Sequence, residues 1–201
     1  KNYQDIYNVN WDSEDWQGLW NALRDIVRFW AGHGVKIFRV DNPHTKPLAF
    51  WEWLIAELRQ EHPDIIFLAE AFTRAAMMRQ LAKVGFNQSY TYFTWKSSKW
   101  ELMDYVTELA TSGMQEYYRP NFFVNTPDIL TEELQHGGPA KFASRLGLGA
   151  SLSPTYGVYC TDTPVRSFGD AVRTDLAAVR AFDIGLLAND VFTSGGHTGL
   201  T

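Results

Sequence analysis

The chain has 201 residues, of which 45% are hydrophobic and 15% aromatic, and its formal net charge is −5 at pH 7. This composition excludes a disordered chain and is typical of a globular enzyme or binding domain. It offers no basic stripe for nucleic acid, and no apolar run approaches the ~20 residues of a membrane span, so we expect neither partner. The single cysteine, Cys160, allows no internal disulfide, which fits a reducing compartment such as the cytoplasm.

Helical and strand patterns alternate along the chain. Apolar residues recur at helical spacing from Trp16 to Trp30, whereas DIIFLAEAF at 64–72 is a near-continuous apolar run, typical of a strand buried on both faces. The predicted helices run from 16 to about 32–34, over 47–62, over 74–85, over 97–113 with Ser97 or Ser98 as the cap, and from about 130. The predicted strands follow these helices in turn and cover 35–41, 64–72, 86–93, 121–125 and 153–160.

This alternation predicts an α/β fold with a parallel sheet and helical crossovers. An open doubly wound sheet would require a glycine-rich turn after its first strand, and none occurs here. The favoured architecture is therefore an incomplete (β/α)8 TIM barrel, whose active groups lie at the carboxyl ends of the strands. Because a parallel unit normally opens on a strand and this chain opens on a helix, we expect further strands upstream.

Three carboxylates follow three of the predicted strands. Asp41 ends one strand, Glu70 ends the next, and Asp128 lies three residues beyond the strand over 121–125. In a barrel these groups converge on the same mouth. Two carboxyl groups about 5–5.5 Å apart, one a nucleophile and the other an acid/base, are what retaining glycosyl transfer requires.

The neighbours of two of these carboxylates suggest different roles. Side chains alternate along a strand, so Arg39 shares a face with Asp41, and its charge would keep Asp41 ionised as a nucleophile. Glu70 lies between Ala69 and Ala71 in an apolar strand, which predicts a raised pKa suited to an acid.

A structural explanation is available for each of these residues. One acidic residue at a strand end is most often a helix cap or a solvated loop group, and Arg39 could pair with Asp41 for structural reasons alone. His44 is more often a loop histidine than a metal ligand, since no HExxH or CxxC pattern accompanies it. We expect no metal and no cofactor. The recurrence of a carboxylate at successive strand ends favours a site.

Five stretches of the chain resemble the maltosyltransferase branch of the α-amylase superfamily, glycoside hydrolase family 13. They are GVKIFRVDNPHTKPLAFWEWLIAE, FLAEAFTR, SYTYFTW, YYRPNFFVNTPDIL and SPTYGVY. That branch transfers maltose from α-maltose 1-phosphate to the non-reducing end of an α-1,4-glucan. The resemblance covers roughly residues 1–166, and RVDNPHTKP and NTPDIL are specific to the branch, in which Pro127 stands where most amylase relatives have a histidine.

The resemblance implies roles for the three carboxylates. By motif, Asp41 becomes the nucleophile, Glu70 the acid/base and Asp128 the carboxylate that distorts the substrate and stabilises the transition state. Arg39 matches the superfamily's substrate-site arginine beside the nucleophile.

The resemblance also implies a site for the donor phosphate. Asn42 directly follows the nucleophile, and Tyr3 and Lys1 lie in a segment that resembles the family's KKYQDIY, so all three match contacts to that phosphate. The chain departs from the family at Asn2, where a lysine is usual.

The resemblance implies that residues 1–166 are the C-terminal part of a catalytic (β/α)8 barrel, its strands four to eight, while 167–201 stay unassigned. The implied partners are α-maltose 1-phosphate and an α-1,4-glucan, and the full enzyme is expected to be a homodimer. Two alternatives stay open: an α-glucan hydrolase, and a catalytically silent barrel fragment used for binding.

Overall fold

A computed structural model of the chain describes residues 9–126 and 128–159, in which helices and strands alternate as predicted. The helices are α1 Trp16–Gly32, α2 Leu48–Glu61, α3 Ala75–Lys83, α4 Lys99–Thr111 and α5 Glu132–Leu152. The strands are β1 Ile37–Asp41, β2 Ile66–Glu70, β3 Gln88–Tyr90, β4 Pro120–Phe123 and β5 Thr155–Gly157. Short 3-10 helices at Pro43–Thr45, Tyr92–Trp95 and Gly113–Glu116 follow β1, β3 and α4.

The five strands form one parallel sheet in the order β1-β2-β3-β4-β5. Each strand therefore pairs with its neighbour in sequence through a helical crossover, and the predicted α/β class is confirmed. A doubly wound sheet reverses its strand order at a switch point, and this sheet shows no reversal among the described strands. The register places Asp41 opposite Glu70.

Local sequence signals set the helix boundaries. The Asp15 carboxylate accepts a hydrogen bond from the Gly18 N–H at 3.0 Å and caps α1. Ser98 and Glu101 form a reciprocal capping box at the start of α4, which confirms Ser98 as one of the two predicted caps. Within α5, Gly138 has a φ of 61° and the next residue is a proline, so the helix is kinked there.

The sheet has two distinct faces, as the alternation of side chains along β1 predicts. On one face Phe38 and Phe67 pack against Leu54 and Leu58 of α2 in the largest core cluster. On the other face Leu68, Tyr90 and Phe123 are buried, with Ile37, Ile66 and Phe72 packed around them. Arg39, Asp41 and Glu70 share this second face by strand alternation.

The strand predicted over 86–93 is shorter in the structure, because β3 ends at Tyr90. Thr91 accepts a hydrogen bond from the Phe93 N–H at 3.4 Å and caps a 3-10 turn instead. The Arg145 guanidinium, buried in α5, holds that turn by donating hydrogen bonds to the carbonyl oxygens of Phe93 and, at 2.6 Å, of Lys96. The aromatic residues after Tyr90 have a high strand propensity, but the Thr91 cap and the hydrogen bonds from Arg145 stabilise a 3-10 turn there instead.

Among the helices that the structure describes, none is long and apolar enough to cross a membrane.

The sheet edges lead to a prediction for the 201-residue chain by itself. Within the described residues, β1 pairs only with β2 and β5 only with β4, and α1 exposes Ile26, Phe29 and Trp30 by 57%, 56% and 45%. Unpaired edges and exposed apolar side chains promote association. We expect the chain to self-associate and to bind a hydrophobic dye, as measured by light scattering and dye fluorescence. A monomer that melts in one sharp transition would contradict this expectation.

Candidate active site

The carboxyl ends of β1 and β2 bring two acidic side chains together. Asp41 and Glu70 are the last residues of their strands and lie directly opposite each other in the parallel register. The predicted meeting of these two residues at one edge of the sheet is therefore confirmed. Asp41 is exposed, whereas only 5% of Glu70 is accessible to solvent.

Arg39 makes an ion pair with Glu70, its Nη2 lying 3.3 Å from Glu70 Oε1, and both side chains are more than nine-tenths buried. From the sequence we predicted that the charge of Arg39 would keep Asp41 ionised, because both residues lie on one face of β1. The difference follows from the register, because Arg39 lies opposite Leu68 and its long side chain reaches the residue two places further along β2.

The pKa of Glu70 is raised from 4.5 to about 7, and burial is the largest cause. The charge of Arg39 opposes this shift by favouring the carboxylate. A hydrogen bond with Asp41 and the negative charges of Asp41 and Asp128 add to the rise. The raised pKa predicted from the apolar strand is therefore confirmed, and near neutral pH Glu70 can both release and accept a proton.

Asn42 directly follows β1 and connects the two strand ends. Its Nδ2 donates a hydrogen bond to Asp41 Oδ1 at 3.0 Å, and its backbone N–H donates to the Glu70 carbonyl oxygen, also at 3.0 Å. The backbone adopts a left-handed conformation here, with a φ of 48°.

Asp128 lies in a tight turn after β4. Thr126 and Ile129 exchange backbone hydrogen bonds of 3.1 and 3.2 Å across the turn, and the Asp128 N–H donates to Thr126 Oγ1 at 3.3 Å. The side chain of Asp128 is exposed, and its charge contributes to the raised pKa of Glu70. The charge of the third carboxylate therefore acts on Glu70.

The structure does not describe all of the predicted site. Lys1, Tyr3 and Pro127 lie outside the described residues, so the donor-phosphate contacts assigned to the first two stay predictions. In the part of the chain that is described, no three His, Cys, Asp or Glu side chains form a group that could hold a metal ion.

Trp95 is a residue at this edge that the sequence analysis did not single out. Its ring packs edge-on against Phe72, two residues after Glu70, with the ring centroids 4.8 Å apart, and 41% of it remains exposed. It borders a cavity of about 520 Å3 that Thr131, Glu132 and His136 also line. Its position after the predicted third strand was a usable signal, since barrel sites form at strand ends.

The exposed Asp41 and the buried Glu70 are suited to two different chemical steps. An exposed carboxylate can attack an electrophilic carbon, while a buried carboxyl beside it can exchange a proton at neutral pH. Retaining glycosyl transfer uses two acids in these two capacities.

Comparisons with known proteins point in the same direction. The chain is 53% identical over 188 residues to an α-1,4-glucan:maltose-1-phosphate maltosyltransferase of Cereibacter sphaeroides, an alignment that covers 91% of the chain and 32% of that relative. It is 57% identical over 159 residues to the protein of the same name from Chlorobaculum tepidum, covering 79% of the chain and 24% of the relative. No protein-family model matches the chain.

A solved structure supports the fold. The crystal structure of an α-amylase from Lactobacillus plantarum matches 78% of the chain and 43% of that protein, with a TM-score of 0.55 and 17% sequence identity. The chain spans about a third of the length of the Cereibacter sphaeroides relative and about a quarter of that of the Chlorobaculum tepidum relative. At such sequence identity over most of its residues, the chain belongs to the α-1,4-glucan:maltose-1-phosphate maltosyltransferase family.

Proposed function

We propose that the chain forms strands four to eight of the catalytic (β/α)8 barrel of a retaining maltosyltransferase. The enzyme moves a maltosyl group from α-maltose 1-phosphate to the non-reducing end of an α-1,4-glucan and releases phosphate. The observation that supports this best is the pairing of Asp41 with the buried Glu70 at one strand edge. The relatives' names supply the substrates.

The barrel assignment is supported by the consecutive parallel strand order and by the similarity to an α-amylase fold. We assign residues 1–166 to the barrel and leave 167–201 unassigned. This boundary stays a prediction, because an alignment over 91% of the chain extends beyond residue 166. The family resemblance also supports a cytoplasmic homodimer for the full-length enzyme.

In the first half-reaction, an Asp41 oxygen attacks the anomeric carbon of the donor while the bond from that carbon to the phosphate oxygen breaks. Phosphate is a good leaving group, so this step depends little on a proton from Glu70. It depends more on groups that hold the departing charge, a role we assign to Asn42, Tyr3 and Lys1.

In the second half-reaction, the acceptor hydroxyl of the glucan attacks the same carbon and displaces Asp41. Glu70 takes the proton from that hydroxyl as the new bond forms. Two successive inversions retain the configuration at the anomeric carbon. Asp128 stabilises the positive charge that develops on the sugar in both steps.

The second candidate function is α-glucan hydrolysis, which the α-amylase fold favours. The two functions can be separated in a full-length relative, such as the Chlorobaculum tepidum protein, whose matching segment is replaced by that of this chain. We call this protein the grafted enzyme. Phosphate release from α-maltose 1-phosphate in the presence of glycogen, with lengthening of the glucan, identifies the transferase. Free maltose released from glycogen with no phosphate donor identifies the hydrolase, and a graft that does neither supports the silent barrel.

We expect Asp41→Ala in the grafted enzyme to abolish the covalent maltosyl-enzyme, because the attacking oxygen is removed. Mass spectrometry of the protein after mixing with α-maltose 1-phosphate checks this. Asp104→Ala, which removes an exposed carboxylate on the outer helix α4, is the matched control and should form the adduct as the parent does. A maltosyl adduct on the Asp41→Ala protein would show that the nucleophile is a different residue.

We expect Glu70→Ala to keep the first half-reaction and to lose the second, so that the maltosyl-enzyme accumulates. Transfer to glucan should fall by roughly 100-fold or more, the range typical of a lost general base. Because Glu70→Ala leaves the buried Arg39 charge unpaired, Glu70→Gln is tested beside it, since its amide oxygen can still accept a hydrogen bond from Arg39. Equal loss of phosphate release and transfer in both variants would argue against separate roles in the two steps.

The pKa of Glu70 should change during the catalytic cycle. In the free enzyme it is about 7, partly because Asp41 is negatively charged and hydrogen-bonded to Glu70. Once Asp41 is esterified by the sugar, that charge is gone, so the pKa of Glu70 falls and a larger fraction of Glu70 is ionised and able to act as a base. We therefore expect the acidic limb of kcat/KM for glucan to lie below pH 7. With a malto-oligosaccharide as donor, the leaving group needs a proton from Glu70 of the free enzyme. The basic limb of kcat/KM for that donor should therefore lie near pH 7. Two limbs at the same pH would contradict this coupling.

A further inference from the structure

Asn42 has a backbone conformation that sets it apart. It is the only non-glycine residue in the described part of the chain with a positive φ, at 48°, and its ψ is 49°. This left-handed region is sterically unfavourable for most L-amino acids, and asparagine is among the few that adopt it routinely. The conformation therefore needs other contacts to hold it in place.

The backbone of Asn42 is fixed on both sides. Its N–H donates to the Glu70 carbonyl oxygen at 3.0 Å, which extends the β1–β2 pairing by one residue. Its carbonyl oxygen accepts hydrogen bonds from the backbone N–H of Thr45 at 3.1 Å and from Thr45 Oγ1 at 2.8 Å. The next residue, Pro43, is buried and its carbonyl oxygen accepts a 2.8 Å hydrogen bond from Trp51 Nε1.

This conformation changes where the Asn42 side chain lies. In a continuing strand, successive side chains point to opposite faces, and Asn42 would point away from Asp41. The left-handed turn instead brings the Asn42 amide to within 3.0 Å of Asp41 Oδ1. Two neighbouring residues can therefore hydrogen-bond through their side chains because the strand ends at Asp41.

We infer that Asn42 is a positioning residue for the nucleophile: its amide N–H holds the Asp41 carboxylate in the orientation from which it attacks. This inference deepens the proposed function and rests on it. Asp41 is exposed, so packing does little to fix its side chain, and a hydrogen bond from a rigid neighbour restrains one of its carboxylate oxygens. An amide nitrogen has two hydrogens, so a contact with the donor phosphate through the second hydrogen is compatible with this role.

A role in backbone geometry alone makes a different prediction. Glycine adopts a φ of 48° without steric cost, so Asn42→Gly should be harmless if only the turn matters. Asn42→Asp keeps the shape and tolerates the left-handed region but replaces the N–H donor with an acceptor. Both variants remove the hydrogen bond to Asp41 while keeping a conformation compatible with the turn.

The experiment uses the grafted enzyme and two donors, α-maltose 1-phosphate and α-maltosyl fluoride. The rate of maltosyl-enzyme formation is measured by rapid quench and mass spectrometry. We expect Asn42→Gly and Asn42→Asp to lower the maximal rate about 10- to 100-fold with both donors, because a misplaced reacting group costs rate whatever the leaving group is. The donor concentration at half-maximal rate should change much less. Asp104→Ala, which removes the exposed carboxylate on α4 and leaves the turn intact, is the control and should react at the parent rate.

Two outcomes would overturn the inference. Parent-like rates for Asn42→Gly with both donors would show that Asp41 does not need the amide. A loss confined to α-maltose 1-phosphate would show that Asn42 acts only on the phosphate. The fluoride measurement also separates this inference from the proposed function, because formation of the maltosyl-enzyme from the fluoride requires the nucleophile but no contacts to a phosphate. If the parent did not react with α-maltose 1-phosphate but formed the maltosyl-enzyme from the fluoride, the transferase proposal would fail. The rates of the Asn42 variants with the fluoride would still test the role of Asn42.

Discussion

The parallel pairing of β1 with β2 is the constraint on which the rest of the site depends. The register places Asp41 opposite Glu70, and one more backbone hydrogen bond, from Asn42 to Glu70, continues the pairing past the strand end. A shift by one residue would turn every side chain of β1 to the other face and would remove Asp41 from the edge. The large apolar side chains that pack against α2 oppose such a shift, so the core that stabilises the sheet also fixes the chemistry.

Burial and charge act against each other at Glu70. The ion pair with Arg39 favours the ionised form, yet burial beside two other acids raises the pKa to about 7. Desolvation is therefore the stronger effect. A buried ion pair adds little net stability and is costly to break by removing one partner, so Arg39 is better understood as keeping Glu70 titratable near neutral pH than as a source of fold stability.

A second buried arginine supports the edge of the site at a distance. The Arg145 guanidinium donates to two backbone carbonyl oxygens of the turn after β3, and its Cζ lies 4.1 Å from the centre of the Phe93 ring. Burial lowers the pKa of this arginine. The turn that it holds contains Trp95, whose ring packs against Phe72 and is 41% exposed. Helix α5 thus holds the turn after β3 in place through Arg145.

The sequence by itself determined the alternation of elements, the faces of β1 and the two strand-end acids. These features depend on local periodicity and composition, which each segment contains in full. Only the tertiary structure decided that Arg39 pairs with Glu70 and not with Asp41, that β3 stops at Tyr90 and that Asn42 turns back onto its neighbour. Each of these depends on strand register, on a cap or on a contact from another element, and no single segment encodes such a relation between parts of the chain.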